Sequence, residues 1–321
     1  MVWLFPPAPL GIFMPDPKIG TRHVPNSTAL HSTREFTVVY SIDAVGARRV
    51  PAATANRPIV EVLGDSFTFG NGVEDHESYA ARLQHRLGPT VAVRNRGVMG
   101  WGTTQCMLAL RDDLARGDPI RLAVYGWLPF HNQRNYRSQA WLAALGMNGQ
   151  RLPVFDLVQG QLVFQRLMGP EDGLPDGTKA IQRQEWEITE GAIQEMSHLM
   201  AARRSRLLVV LLPFREWMGP PGLVSPGPAS VADAYARFDA FLADAGIARL
   251  DLWRDARFAG YDLYIPSDMH PTPRWHRLVA EALAQVIDVN AQDLVGASVT
   301  RQGPPTHSCE EVSTSAARCA R

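Results

Sequence analysis

The stretch Ile59-Val-Glu-Val-Leu-Gly64-Asp-Ser-Phe-Thr-Phe-Gly70 is an apolar run that ends in a glycine turn and passes into a helical pattern. Strand, turn and helix in that order are the opening of an α/β unit. Outward from it, short apolar runs alternate with longer amphipathic stretches. Strands are expected at 59–63, 91–94, 121–125, 206–212 and 247–252, with helices at 77–87, 103–116, 179–204, 230–245 and 273–287. Such alternation predicts a mostly parallel sheet covered by helices on both faces. The run Leu207-Leu-Val-Val-Leu-Leu212 is apolar at every position and suits a central strand buried from both sides.

Three regions follow. Residues 1–58 are rich in turn formers, hold one plausible strand at 36–40, and read as an N-terminal extension packed on something larger. Residues 59–288 form the α/β domain, interrupted at 146–178 by two apolar stretches paired around Gly160 and a Gly/Pro/Asp-rich segment. Residues 289–321 turn to Gln, Gly, Ser, Thr, Pro and Ala and are expected to form a disordered tail. The opening Met-Val-Trp-Leu-Phe-Pro-Pro-Ala-Pro run is too short and too proline-rich to span a membrane. It reads alternatively as the end of an anchor that begins upstream, which would bring membrane association.

Composition excludes several classes. With 32 Lys+Arg against 32 Asp+Glu in 321 residues the net charge is zero, so the basic field needed for nucleic-acid binding is missing. Cys106, Cys309 and Cys319 make no disulfide framework and no zinc spacing. No metal and no cofactor is expected.

The chemistry collects where strands end. Ser66 leaves the carboxyl end of a strand beside a helix N-terminus, where open α/β sheets bind ligands and free N–H groups favour negative charge. It is a candidate nucleophile, or simply a helix cap. A serine nucleophile needs a histidine held by a carboxylate. Ser267-Asp268-Met269-His270-Pro271 supplies one in the loop after the last expected strand, at the same edge. Between them, Asn95-Arg-Gly-Val-Met-Gly100-Trp-Gly-Thr-Thr-Gln105 holds three glycines that permit close backbone approach and positive φ, as a loop presenting N–H to an oxyanion requires. The spacing is not that of a dinucleotide fingerprint.

Taken together, these segments resemble the SGNH/GDSL hydrolase family, and GDSFTFGNGV resembles the first block of many bacterial extracytoplasmic members. The resemblance covers about residues 59–287 and implies a three-layer α/β/α, flavodoxin-like fold. It implies Ser66 as nucleophile, Asp268 and His270 as its partners, and the N–H groups of Ser66 and Gly100 in an oxyanion hole. The Asp-x-His form is similar to that of the alginate acetylation branch; in the commoner Asp-x-x-His form the acidic position would be Ser267, and Asp262 is the nearest other carboxylate. The third block departs from the family. Where an Asn donor is usual, the chain reads Tyr125-Gly-Trp-Leu-Pro-Phe130-His131-Asn132-Gln-Arg134-Asn135, leaving His131 or Asn132 as substitute donors, or only two donors in the hole. The leader with His23, His31 and 36–46 also resembles segments that follow a membrane anchor in such proteins, which favours the periplasm or cell surface, with the cytoplasm left open.

The expectation is a serine esterase acting on small O-acyl esters, with O-acetyl carbohydrate as the substrate by family analogy and a small-molecule or glycan ester as partner. Two alternatives stand beside it: an O-acyltransferase using the same residues, and a non-catalytic carbohydrate-binding module. Oligomeric state is left open. Trp101, Trp127 and Trp217 fall in loops after strands, where they line a pocket or pack. His76 and His85 read as surface residues, and His276 has no assigned task.

Overall fold

The computed structural model describes residues 11–51, 53, 57–135, 151–169, 179–214 and 228–287. Residues 1–10, Trp217, Cys309, Cys319 and the expected tail at 289–321 lie outside the described residues, as does most of the Gly/Pro/Asp-rich segment. The N-terminal region forms β1 (Phe13–Asp16), β2 (Gly20–His23), β3 (Thr28–Ser32) and β4 (Thr37–Ser41). There follow β5 (Ile59–Gly64), α1 (Ser66–Phe69), α2 (Tyr79–Leu87), β6 (Ala92–Gly97), α3 (Thr103–Ala115), β7 (Ile120–Trp127) and α4 (Phe130–Arg134). The second half contains β8 (Leu152–Val158), β9 (Gln161–Met168), α5 (Lys179–Ala201), β10 (Arg206–Leu211), α6 (Pro228–Asp244), β11 (Ala248–Asp251) and α7 (Pro273–Val286).

Five strands make one parallel sheet in the order β11-β10-β7-β5-β6. Numbered within the sheet this is the flavodoxin-like order 2-1-3-4-5, with a topological switch point between β5 and β7. Successive side chains on a strand point to opposite faces, and here both faces are covered. Ile59, Leu63, Ala123, Tyr125, Leu207, Val209 and Leu211 pack against α3, α5 and α6. Val60, Val62, Leu122, Val124, Leu208 and Val210 pack against α2 and α7. Each such Val or Leu contributes about 1.5–3 kcal/mol on burial, which explains why these strands read as continuous apolar runs. The result is a three-layer α/β/α fold.

The N-terminal region holds more structure than the single expected strand. Its β1–β2 and β3–β4 pairs are antiparallel hairpins. Ile12, Ala29, Val38, Tyr40 and Ile42 form a small core with Phe69 and Met99 of the α/β unit. β8 and β9 form a separate two-stranded sheet, and Phe155 buries within the α3/α5 side of the core. Among the described residues, no helix is long and apolar enough to cross a membrane.

Candidate active site

Ser66 begins α1 directly after β5, on the carboxyl edge of the sheet at the switch point. Two features make the sharp strand-to-helix turn. The Asp65 side chain caps α1 by accepting from the Phe67 N–H at 3.0 Å. Behind α1, a Cβ on Gly97 would lie 2.3 Å from the Phe69 nitrogen, so only glycine lets the end of β6 come this close. Asn95, two residues earlier, donates from Nδ2 to the carbonyls of Thr68 at 3.0 Å and Phe69 at 3.3 Å.

The loop before α7 brings His270 to Ser66. His270 Nε2 lies 2.9 Å from Ser66 Oγ, and the other ring nitrogen, Nδ1, is in close contact with Asp268 Oδ1. Asp268 also accepts from the His270 backbone N–H at 3.2 Å. One carboxylate oxygen thus receives both the ring and the backbone of the residue two positions on. That geometry bends the chain between them: Met269 has φ +68°, a left-handed conformation costly to a side chain of this kind. Burial alone would raise the Asp268 carboxyl, but the His270 imidazole and the hydrogen bonds from its ring and backbone hold it below the usual range. Asp262, the other nearby carboxylate, pairs with Arg274 in an exposed ion pair. The Ser267 N–H donates to Glu35 at 3.0 Å.

The glycine loop runs from β6 to α3. Gly100 is buried and has φ +84°. Trp101 and Trp127 are both buried: Trp101 donates from Nε1 to the Thr21 carbonyl at 2.8 Å, and Trp127 stacks on Phe238 with ring centroids 4.1 Å apart. They pack. His76 and His85 are exposed. His276 is buried and its Nδ1 accepts the Tyr79 N–H at 3.2 Å, so it holds the start of α2 against α7.

The third block forms α4, and its side chains turn to structural partners. His131 is buried, with Nδ1 2.8 Å from the Tyr125 hydroxyl and Nε2 3.3 Å from Asp65 Oδ2. Burial holds this imidazole below its ordinary range against the pull of Asp65. The Asn132 carbonyl oxygen accepts from Trp127 Nε1 and from Thr189 Oγ1, each at 3.1 Å. Asn135 accepts from the Thr104 N–H at 3.2 Å and donates to Thr189 at 2.8 Å, tying α3 to α5.

Sequence reasoning missed Arg134. Its guanidinium donates to Asp65 Oδ2 and to the Trp101 carbonyl, both at 2.8 Å, and lies 4.5 Å from the Phe130 ring centroid. One side chain therefore joins the first block, the glycine loop and the third block. Burial alone would raise Asp65, yet His131, Arg134 and the Phe67 N–H hold it well below the carboxylate range. A buried arginine facing a buried aspartate is an ion pair that neither side can lose cheaply. Among the described residues no group of three or more His, Cys, Asp or Glu could hold a metal ion.

Comparison with known proteins now has a geometry to meet. A family described as "SGNH hydrolase-like domain, acetyltransferase AlgX" matches residues 176–317, the part that carries Asp268 and His270. Solved structures similar to this chain include a member of the lipolytic protein G-D-S-L family from Veillonella parvula, 14% identical, covering 71% of this chain and 97% of its own, with a TM-score of 0.44. Another is a GDSL-like lipase from Bacteroides thetaiotaomicron, 14% identical, covering 74% and 90%, with a TM-score of 0.43. A third is a carbohydrate acetylesterase family member from Sinorhizobium meliloti, 14% identical, covering 75% and 100%, with a TM-score of 0.45. No curated protein matches the chain.

Proposed function

We propose that the chain is a serine esterase in which Ser66 attacks the carbonyl of a small O-acyl ester, His270 takes and returns the proton, and Asp268 orients the imidazole. The family match over residues 176–317 and the resemblance of the motifs support chemistry on esters, by hydrolysis or acyl transfer. The observation that carries the residue assignment is the 2.9 Å contact of His270 Nε2 with Ser66 Oγ, with Asp268 on the opposite ring nitrogen.

In this reading the Ser66 proton passes to Nε2 as Oγ bonds to the acyl carbon, and the carbonyl oxygen becomes an oxyanion. The N–H groups of Ser66 and Gly100 donate to it. The imidazolium then gives its proton to the departing alcohol, leaving an acyl-serine that water opens by the same route. The His131 ring is taken up between Tyr125 and Asp65, and the Asn132 carbonyl oxygen by Trp127 and Thr189, which leaves Asn132 Nδ2 as the third block's remaining donor of the two named. Loss of one such donor typically lowers turnover by about 10²–10³-fold.

Acetyl is the favoured acyl group because the matching family description names an acetyltransferase; carbohydrate as its carrier rests on resemblance. The same words favour a second reading, in which a glycan hydroxyl replaces water in the second half-reaction. We assign both readings to the periplasm or cell surface, on the resemblance of the leader and the first block.

Hydrolysis of an activated acetyl ester by the full chain, compared with Ser66→Ala, tests the assignment. Loss to the uncatalysed rate with an unchanged melting temperature supports it, and unchanged turnover removes it. Product analysis with and without glycan acceptors separates hydrolysis from transfer.

A further inference from the structure

The N-terminal hairpins reach His270 through a chain of buried polar groups that the mechanism above does not use. Asn71 lies just beyond α1, in the turn that Gly70 opens. As placed, its Nδ2 faces His270 Nδ1 at 3.1 Å and its Oδ1 accepts from the Tyr40 hydroxyl at 3.0 Å. Tyr40, on β4, also receives the Gly72 N–H at 2.9 Å and lies 2.9 Å from His31 Nδ1 on β3. Asn71, Tyr40, His31 and His270 are all buried. The turn itself is held from the same region. Arg48, fully buried, donates to the carbonyls of Phe69, Gly70 and Val73, each at 2.6 Å, and pairs with Asp75 at 3.0 Å.

Donor and acceptor arithmetic sets the direction of this chain. When His270 Nδ1–H is given to Asp268, whatever else faces Nδ1 must accept, because two N–H groups repel. An amide turned by 180° about its terminal bond exchanges oxygen and nitrogen while keeping its place. With its oxygen toward His270, Asn71 gives an N–H to Tyr40. The Tyr40 oxygen then takes two donors, Asn71 and Gly72, and its single proton goes to His31 Nδ1. Each of these contacts pairs a donor with an acceptor in that order only if His31 is neutral with its proton on Nε2, an atom that is buried without a hydrogen-bond partner, and burial lowers its pKa accordingly.

We propose that Asn71, held by Tyr40 and His31, is a positioning residue: its carboxamide oxygen is a second acceptor for the His270 Nδ1–H and keeps the Nε2 lone pair on Ser66. The proposal rests on the reading of Ser66 and His270 given above. It makes the hairpin region part of the machinery that sets the imidazole, acting through His270 and not on substrate. The titratable groups around His270 are Asp268 on its own loop, His31 and Tyr40 from the hairpin, Glu35 on the Ser267 N–H, and His276 of α7.

The test is the pH profile of activated acetyl ester hydrolysis by the full chain, its Ser66→Ala control, and the variants Asn71→Ala, Asn71→Asp and Tyr40→Phe. Loss of a hydrogen bond to a group that becomes charged predicts that Asn71→Ala lowers kcat about 10–100-fold while KM stays within about twofold. Asn71→Asp restores an acceptor, recovers most of kcat, and moves the acid limb up by about one pH unit, because a second carboxylate favours the imidazolium. Tyr40→Phe keeps the ring on Phe69, 4.9 Å between centroids, and lowers kcat about threefold to tenfold. A merely structural role would lower the melting temperature and leave the acid limb in place. The proposal is overturned if Ser66→Ala is dead while Asn71→Ala keeps kcat within twofold with an unmoved acid limb. Should Asn71→Ala fail to fold, an unchanged kcat in Tyr40→Phe overturns it equally. Activity surviving in Ser66→Ala strikes the esterase reading instead.

Discussion

Ser66 stands between two aspartates with different company. On one flank Asp65 precedes it in the chain and meets Arg134 at 2.8 Å and His131 at 3.3 Å, with all three side chains buried. On the other, Asp268 meets the ring and the backbone N–H of His270, and the loop that carries both keeps a small exposed edge. Arginine never gives up its proton in a protein, so the Asp65 flank is a fixed charge pair that joins three segments. Histidine can take and return one near neutral pH, so the Asp268 flank can change charge during a reaction. On the proposed reading, the difference teaches that burial and partner, not residue type, divide framework from chemistry at this sheet edge.

The sharpest way to test that division is to break each pair in turn. Asp268→Ala is expected to lower turnover about 10³–10⁴-fold, as loss of the orienting acid does in serine hydrolases, with a melting temperature close to that of the parent. A fall in stability with kcat preserved among folded molecules would erase the contrast. Arg134→Met attacks the other flank and leaves Asp65 as an unpaired buried charge, which is expected to cost about 3–5 kcal/mol in chemical denaturation. Adding Asp65→Asn to that variant restores part of the loss. If Arg134→Met unfolds at the parent's denaturant concentration, the pair is not the clamp described here.

Acid titration of stability gives a third effect, smaller for each pH unit. His23 is buried and held neutral, its pKa lowered to about 3, and burial lowers His276 well below its ordinary range as well. Below about pH 6.5 the unfolded chain binds protons that these folded imidazoles refuse, so stability falls as pH falls. Each contributes up to about 1.4 kcal/mol per pH unit, in the case of His23 down to about pH 3. Asp65, held low, keeps its charge throughout that window. Replacing His23 and His276 with glutamine should flatten the slope between pH 6 and 4; an unaltered slope would show that other groups govern it.

The smallest effect concerns the loop of the Asp268 flank. Met269→Gly removes a side chain from a left-handed position, a gain of about 1–2 kcal/mol offset by about 0.5–1 kcal/mol of added chain entropy. The expected outcome is stability within about 1 kcal/mol of the parent and unchanged turnover. A large loss of activity would mean that the Met269 side chain itself touches the reaction.

How much of this was legible in the amino-acid order follows from the range of each interaction. The parallel sheet showed itself because β5 and β10 are apolar on both faces, a pattern that needs no knowledge of neighbours. Ser66 and the Asp268/His270 pair stood out because motif and strand end coincide. The hairpins at 13–41 did not. β1 contains Pro15 and β2 has only four residues, too short for a period of two to emerge. Arg134 was in plain view at the end of the third block, but Asp65 lies 69 residues away, and no local pattern announces such a partner. Asn71 sits inside the first block and meets residues 31 and 199 positions distant. In the third block, where the sequence departs from the family it resembles, Tyr125 and Asp65 take up His131, and Trp127 and Thr189 hold the Asn132 oxygen, partners that no local pattern announces.

The central claim is that Ser66 is made nucleophilic by His270. It is met most directly by treating the full chain with a fluorophosphonate and locating the adduct by peptide mass spectrometry. The account predicts a single covalent mark on Ser66 in the parent, lost in His270→Ala although that variant stays folded. An unmarked Ser66 in the parent, or marking at the parent's rate once His270 is gone, would contradict it.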